Sequence, residues 1–233
     1  MRRKRIHGQK MSEKPAVFGK DLNFAAAEAY KLLRTNILFA LPDEKKCRII
    51  GVTSASNGEG KSTTTLNLAY MLAEAGERVL LIEGDMRLPA VSKRLELSAA
   101  PGLSNVLAGL CGVKETLQES KLNERLQVIS AGDIPPNPSE LLGAKSIDVL
   151  IEVLSGDYDF IIFDLPPVTE VSDALVVSKL TDGMIVVVRQ NYANRRALAD
   201  AMQQLQYVEA KVLGFVMTCA SMGKGQKYYK RYG

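Results

Sequence analysis

Apolar, β-branched residues fall in short unbroken runs along this chain, at 48–53, 78–82, 160–163, 184–188 and 212–217, with a weaker run at 126–129. Turn-forming residues bound each run, and an unbroken run of this length predicts a strand buried on both faces. Between the runs, apolar residues return at helical spacing over 62–75, 147–154, 172–180 and 194–208. Strands alternating with helices in this way predict an α/β domain, a mostly parallel central sheet with helices on both faces. Ahead of the first strand, 24–41 reads as an amphipathic helix stopped by Pro42, with Leu32, Leu33, Ile37 and Leu38 on its apolar side. Glu28, Lys31 and Arg34 recur at i, i+3 and i+6 on that helix, so Glu28 and Lys31 can pair on one face. Residues 87–126 and 132–142 are rich in turns; Pro135, Pro136 and Pro138 predict an irregular loop, and Ser139 is placed to cap the short helix that follows.

Composition and charge narrow the picture. With 233 residues and 46% apolar content, the chain can bury one sizeable core and is expected to form a single domain. The expected organisation is a basic, flexible segment at 1–22, the folded domain at 23–220, and a flexible tyrosine-rich tail at 221–233. The net charge of +4 hides an asymmetry, because six Lys/Arg against one Glu lie in residues 1–14, four Lys/Arg lie in 221–233, and the rest is net −5. A mildly acidic body argues against a nucleic-acid partner. The cluster Arg2, Arg3, Lys4 and Arg5 reads either as a solvated end or as an approach to an anionic membrane surface. Cys47, Cys111 and Cys219 are far apart and His7 is the single histidine, which points to a reducing compartment and away from structural zinc. With no apolar stretch of membrane-spanning length, a cytoplasmic location is expected.

The strongest chemical signal is ASNGEGKSTTT over 55–65, directly after the first strand. A strand, a glycine-rich turn and a helix with Lys-Ser at its start make a phosphate-binding loop. Gly58 and Gly60 let backbone N–H groups converge on phosphate oxygens, Lys61 reaches the β/γ-phosphates, and the Ser62 hydroxyl is a Mg²⁺ ligand. The nucleotide-binding set is therefore Asn57, Gly58, Glu59, Gly60, Lys61, Ser62 and Thr63. Ala55 stands where the pattern has its first Gly, which works if that residue keeps an ordinary φ.

Ligands of parallel sheets gather at the carboxyl ends of the strands, where this chain carries Glu83, Asp85 and Asp164. Four apolar residues followed by Asp164 form the Walker B pattern, in which a carboxylate orients Mg²⁺ or its water. Asp85 fits a second metal ligand or a base that accepts a proton from an attacking hydroxyl. Arg87 fits an ion pair with Asp85 or Glu83, or a direct phosphate contact.

These residues, together with EAYKLLRTN at 28–36, PPNPSELL at 135–142, DLPP at 164–167 and the final QKYYKRYG, resemble the cytoplasmic bacterial tyrosine autokinases of capsular and extracellular polysaccharide synthesis. The resemblance covers roughly residues 23–232. It implies the fold of the division-site and chromosome-partitioning ATPases, Mg²⁺ and ATP as cofactors with Lys61, Asp85 and Asp164 as catalytic residues, and γ-phosphoryl transfer to tail tyrosines, here Tyr228, Tyr229 and Tyr232. It also implies a homo-oligomer built on Glu28, Lys31 and Arg34, and a membrane-embedded activator that docks the kinase at the inner face of the cell membrane. A cognate tyrosine phosphatase belongs to the same picture. Lys31 stands where the family motif has Arg, which implies a weaker or differently sized oligomer, since Lys cannot make a bidentate contact. Glu83 replaces the first Asp of the second-strand motif.

Two other readings stay open. A positioning ATPase of the partitioning type would carry a second lysine early in the loop, where this chain has Ser56. A scaffold that binds nucleotide without chemistry would not need Lys61, Ser62, Asp85 and Asp164 together.

Overall fold

The computed structural model describes residues 17–41 and 45–220. In chain order its elements are a short 3₁₀ turn at Gly19–Asp21, α1 (Phe24–Ala40), β1 (Arg48–Ser54), α2 (Lys61–Glu74), β2 (Val79–Glu83), α3 (Val91–Leu95), α4 (Leu103–Leu107), α5 (Val113–Thr116), β3 (Leu117–Glu119), β4 (Leu126–Ile129), α6 (Pro138–Leu142), α7 (Lys145–Leu154), β5 (Phe160–Asp164), α8 (Asp173–Ser178), β6 (Gly183–Arg189), α9 (Arg195–Tyr207) and β7 (Val212–Thr218). The strands form one sheet in the order β3-β4-β2-β5-β1-β6-β7, parallel except where β3 runs against β4.

The unbroken apolar runs are explained by two cores, one on each face. Leu80, Ile82, Ile161, Phe163, Met184 and Val186 point to the face covered by α4 and α6–α9. Their neighbours Val79, Leu81, Phe160, Ile162, Ile185 and Val187 point to the other face, with Leu66, Leu68 and Leu72 of α2 and Ile37 of α1. Because successive side chains of a strand point to opposite faces, a strand covered on both sides must be apolar at every position. Helix α2 runs through the middle of its layer, and twelve of its fourteen residues are buried.

The structure departs from these expectations in four places. Leu32 belongs to the exposed side of α1, while Leu33, Ile37 and Leu38 pack inward. The turn-rich stretch after β2 holds three helices of four or five residues and the edge strand β3, too short and too polar for periodicity to register. Ser139 does not cap α6: that helix starts at Pro138 after Asn137 without a side-chain cap, and the Ser139 hydroxyl is turned to Asp173. Residues 17–22, which the charge pattern places with the basic segment, touch α2, where the Gly19 N–H donates to Asn67 Oδ1 at 3.0 Å and Gly19 rests on the Tyr70 ring. Pro42, the Arg2–Arg5 cluster and the three tail tyrosines lie outside the described residues. Among the described residues no helix is long and apolar enough to cross a membrane.

Candidate active site

β5 lies between β2 and β1, with Val52 and Glu83 both level with Asp164. The chain after β1, the chain after β2 and the end of β5 are therefore neighbours at the carboxyl edge of the sheet. From β1 the chain crosses to β2 on one side while β6 lies on the other, so the edge beside β1 is the point where strand order reverses and ligands enter.

The loop of residues 55–60 is shaped by its two glycines. Gly58 and Gly60 take φ of 77° and 95°, values at which any other residue would be strained. Ala55 has no positive φ, so the missing first glycine leaves the loop's geometry intact. Glu59 turns its fully buried carboxylate back into the loop, where Oε2 accepts from the N–H groups of Ala55 and Ser56 at 3.0 and 3.1 Å. Its side chain thus braces the first turn of the loop from within. Asn57 is held likewise, since Glu170 accepts from both its N–H and its side-chain amide. Helix α2 begins at Lys61, so the positive end of its dipole points at the same spot.

Lys61 is buried, and its Nζ lies 3.7 Å from Asp85 Oδ2. The other Asp85 oxygen accepts the Leu88 N–H at 3.0 Å. Burial raises the Asp85 pKa, an effect partly offset by the Leu88 N–H and by Lys61. Asp164 is deeper still: Oδ1 accepts from the Thr65 hydroxyl at 3.0 Å, while Oδ2 is buried with no hydrogen-bond partner. Burial pushes its pKa up to about 6, against the opposing pull of Lys61, Ser62 and Thr65. An orphaned carboxylate oxygen beside a serine hydroxyl suits a hard cation that takes its remaining ligands from water and phosphate. Among the described residues no group of three or more His, Cys, Asp or Glu could hold a metal ion by itself.

Not every expected residue joins this centre. Glu83 is fully buried, but its carboxylate accepts the N–H groups of Val91, Ser92 and Ala131, so it caps α3 instead of approaching a metal. Arg87 pairs with neither Asp85 nor Glu83: its guanidinium meets the fully buried Asp173 at 3.0 and 3.3 Å. The Thr63 hydroxyl receives a hydrogen bond from Arg94 at 2.8 Å. On α1, Lys31 pairs with Glu28 at 2.8 Å, and Arg34 donates to the Met71 carbonyl of α2 at 2.8 Å. Sequence reasoning passed over Thr65, Asp173 and Glu170. Thr65 was within reach, since it lies one helical turn after Lys61 on the face that meets β5.

A P-loop, a carboxylate at the end of the adjacent strand and the reversal of strand order beside them define a P-loop NTPase. The AAA domain family model matches residues 47–213. Tyrosine-protein kinase YwqD of Bacillus subtilis (strain 168) is 37% identical over 209 residues, covering 90% of this chain and 86% of that protein. The kinase domain of Escherichia coli tyrosine kinase ETK superposes with a TM-score of 0.78 at 31% identity, covering 85% of this chain and 78% of that one. The septum site-determining protein MinD from Pyrococcus horikoshii OT3, complexed with Mg-ADP, superposes at 0.62 with 25% identity over 73% of this chain and 70% of its own. The chain belongs to the bacterial tyrosine-protein kinases.

Proposed function

We propose that this kinase transfers the γ-phosphoryl group of ATP to tyrosines of its own tail, Tyr228, Tyr229 and Tyr232, and so regulates the synthesis and export of a capsular or extracellular polysaccharide. The observation that carries the reading is the convergence of Lys61, Asp85 and the orphaned Asp164 oxygen beside the glycine-rich loop. The loop residues 57–63 and the α2 N-terminus receive the triphosphate, and Lys61 leaves Asp85 for the β/γ-phosphates. Ser62 and Asp164 would hold Mg²⁺, which supplies charge neutralisation across the phosphates. Asp85 completes the acceptor side. The tyrosine oxygen forms the new bond to phosphorus, the bond from γ-phosphorus to the bridging oxygen breaks, ADP leaves, and the phenol proton passes to Asp85 or to water.

A second observation bears on the reading. The last strand ends at Thr218, whose hydroxyl donates to the Glu59 carbonyl at 2.7 Å, so the end of β7 lies against the loop. Phosphates added to the 221–233 tail turn a positive segment negative, which weakens its docking against phosphate-bearing sites. The same reading includes the three-part organisation of 1–22, 23–220 and 221–233. It also includes self-association through Glu28, Lys31 and Arg34, and cytoplasmic residence at the membrane through a membrane-embedded activator, with a tyrosine phosphatase to reset the tail. Because Lys31 and Arg34 are already engaged within the chain, assembly has to compete with those contacts.

The test is incubation with ATP labelled at the γ-phosphate, Mg²⁺ and the activator's cytosolic segment, followed by mapping of modified residues, with Lys61→Met as control. Label on Tyr228, Tyr229 or Tyr232 that disappears in the control supports the reading. Phosphate release without tyrosine label, with the activator bound, would replace it by the positioning ATPase.

A further inference from the structure

When a loop turns its N–H groups inward to a phosphate, its carbonyls face outward and need donors of their own. Here three consecutive loop carbonyls, of Asn57, Gly58 and Glu59, each receive one from a side chain of the β6–β7 end. Tyr192 Oη donates to Asn57 O at 3.2 Å, Arg189 Nη1 to Gly58 O at 3.0 Å, and Thr218 Oγ1 to Glu59 O at 2.7 Å. The donors lie 131 to 159 residues away in sequence, so the arrangement is a product of the fold and not of the loop. The Arg189 guanidinium stacks over the Tyr192 ring at 5.0 Å from its centre, which fixes two of the donors relative to each other. They also stand close: a Cβ on Gly58 would lie 3.1 Å from the Tyr192 hydroxyl oxygen, and one on Gly60 3.2 Å from Thr218 Cγ2.

We infer that Arg189, Tyr192 and Thr218 are positioning residues that hold the phosphate-binding loop in its nucleotide-ready shape by capping these three carbonyls. The inference rests on the nucleotide reading of the site and deepens it. Left to water, the same carbonyls would be satisfied equally well in loop shapes that do not converge their N–H groups, and ligand binding would have to select among those shapes. Three donors anchored on the sheet remove that selection in advance, which is preorganisation. The effect falls on nucleotide affinity, and the phosphoryl-transfer step at saturating ATP is largely spared.

The experiment measures Mg-ADP affinity by titration calorimetry, and KM and kcat for ATP, in full-length Thr218→Val, Thr218→Ser and Tyr192→Phe, with the melting temperature of the nucleotide-free protein alongside. Losing a hydrogen bond of ordinary net strength corresponds to an affinity change of roughly 3- to 10-fold. Thr218→Val and Tyr192→Phe should weaken Mg-ADP binding and raise KM by that factor, with kcat changed less than about twofold and the nucleotide-free melting point held. Thr218→Ser, which keeps the hydroxyl, should restore wild-type affinity. Wild-type affinity in both Thr218→Val and Tyr192→Phe, or a fall in kcat without a rise in KM, would overturn the inference and leave the nucleotide reading standing. Absence of Mg-ADP binding in the unmodified protein would overturn both.

Discussion

Lys61 Nζ sits 3.7 Å from Asp85 Oδ2, with both side chains less than a tenth exposed. The lysine proposed to reach a nucleotide's phosphates is therefore already paired with the carboxylate of the neighbouring strand loop. A buried ammonium without a partner would be costly, so the pair keeps the site intact while no ligand is present. On the proposed function, nucleotide binding breaks the pair and leaves Asp85 facing a triphosphate of the same sign.

Asp85→Asn should therefore bind ATP more tightly than the unmodified chain when Mg²⁺ is chelated, by roughly 3- to 10-fold, since both the competing partner and the repulsion are gone. With Mg²⁺ restored, tyrosine phosphorylation by this variant should fall by about 100-fold or more, because the acceptor-side charge has been removed. Calorimetry in EDTA and a labelled-ATP assay separate the two effects. Weaker ATP binding by Asp85→Asn in EDTA would mean that Asp85 is not the resting partner of Lys61.

Asp164 carries a stability cost that depends on pH. Its pKa is pushed up to about 6 in the folded protein, against 3.8 for the free side chain, chiefly by burial. Between those values the folded state holds a proton that the unfolded chain has released, so the stability of the nucleotide-free protein declines as pH rises from about 4 to about 6 and stays lower above. Asp164→Asn keeps the acceptor for Thr65 and removes the charge. It should melt at a higher temperature than the unmodified protein at pH 7.5, show no decline attributable to this group over that window, and have lost Mg²⁺-dependent phosphorylation. Equal melting points at pH 7.5 would show that the buried carboxylate is compensated in a way its hydrogen bonds do not reveal.

How far sequence could see this site depended on whether a residue's partner was local. The loop of residues 55–65 was legible because glycines, a lysine and a helix start are adjacent in the chain, and Asp164 because an apolar strand announces its own end. The role of Glu83 was open in the sequence for the opposite reason. By position it stands among the strand-end carboxylates, yet its carboxylate is taken by N–H groups of Val91, Ser92 and Ala131, and no pattern relates residue 83 to residue 131. Arg87 and Asp173 are 86 residues apart, and the donors Arg189, Tyr192 and Thr218 are further still from the loop they cap. The two-faced sheet was legible from unbroken apolar runs; β3, with two half-buried residues and one exposed, had nothing in its pattern to mark it.

The role of Glu83 makes a prediction that separates stability from chemistry. Removing a buried charged acceptor strands the N–H groups of Val91, Ser92 and Ala131, at a cost of about 2–4 kcal/mol. Glu83→Ala should unfold at a clearly lower denaturant concentration, while the molecules that remain folded bind Mg-ADP within about twofold of the unmodified affinity. Glu83→Asp, one methylene short of those N–H groups, should fall between the two in stability. A large loss of Mg²⁺-dependent binding at unchanged stability would instead place Glu83 in the metal shell.

Arg87 and Asp173 join three segments that sequence presents separately. The guanidinium of Arg87 spans from Asp173, at the start of α8, to the Ser139 hydroxyl in the PPNPSELL loop, 3.3 Å away, and Ser139 in turn donates to Asp173. Asp85 is two residues from Arg87 and accepts the Leu88 N–H, so the turn that holds Asp85 is pinned by this contact. A bidentate pair with one fully buried member is worth more than an exposed one, and a double-mutant cycle of Arg87→Ala and Asp173→Asn should give a coupling of about 1–2 kcal/mol in unfolding free energy. The single variants should also lower kcat for tyrosine phosphorylation more than they raise KM for ATP, because what shifts is Asp85 and not the phosphate-binding loop. A coupling near zero would show that the Ser139 hydroxyl alone satisfies Asp173, and that Arg87 is free to leave it for a phosphate.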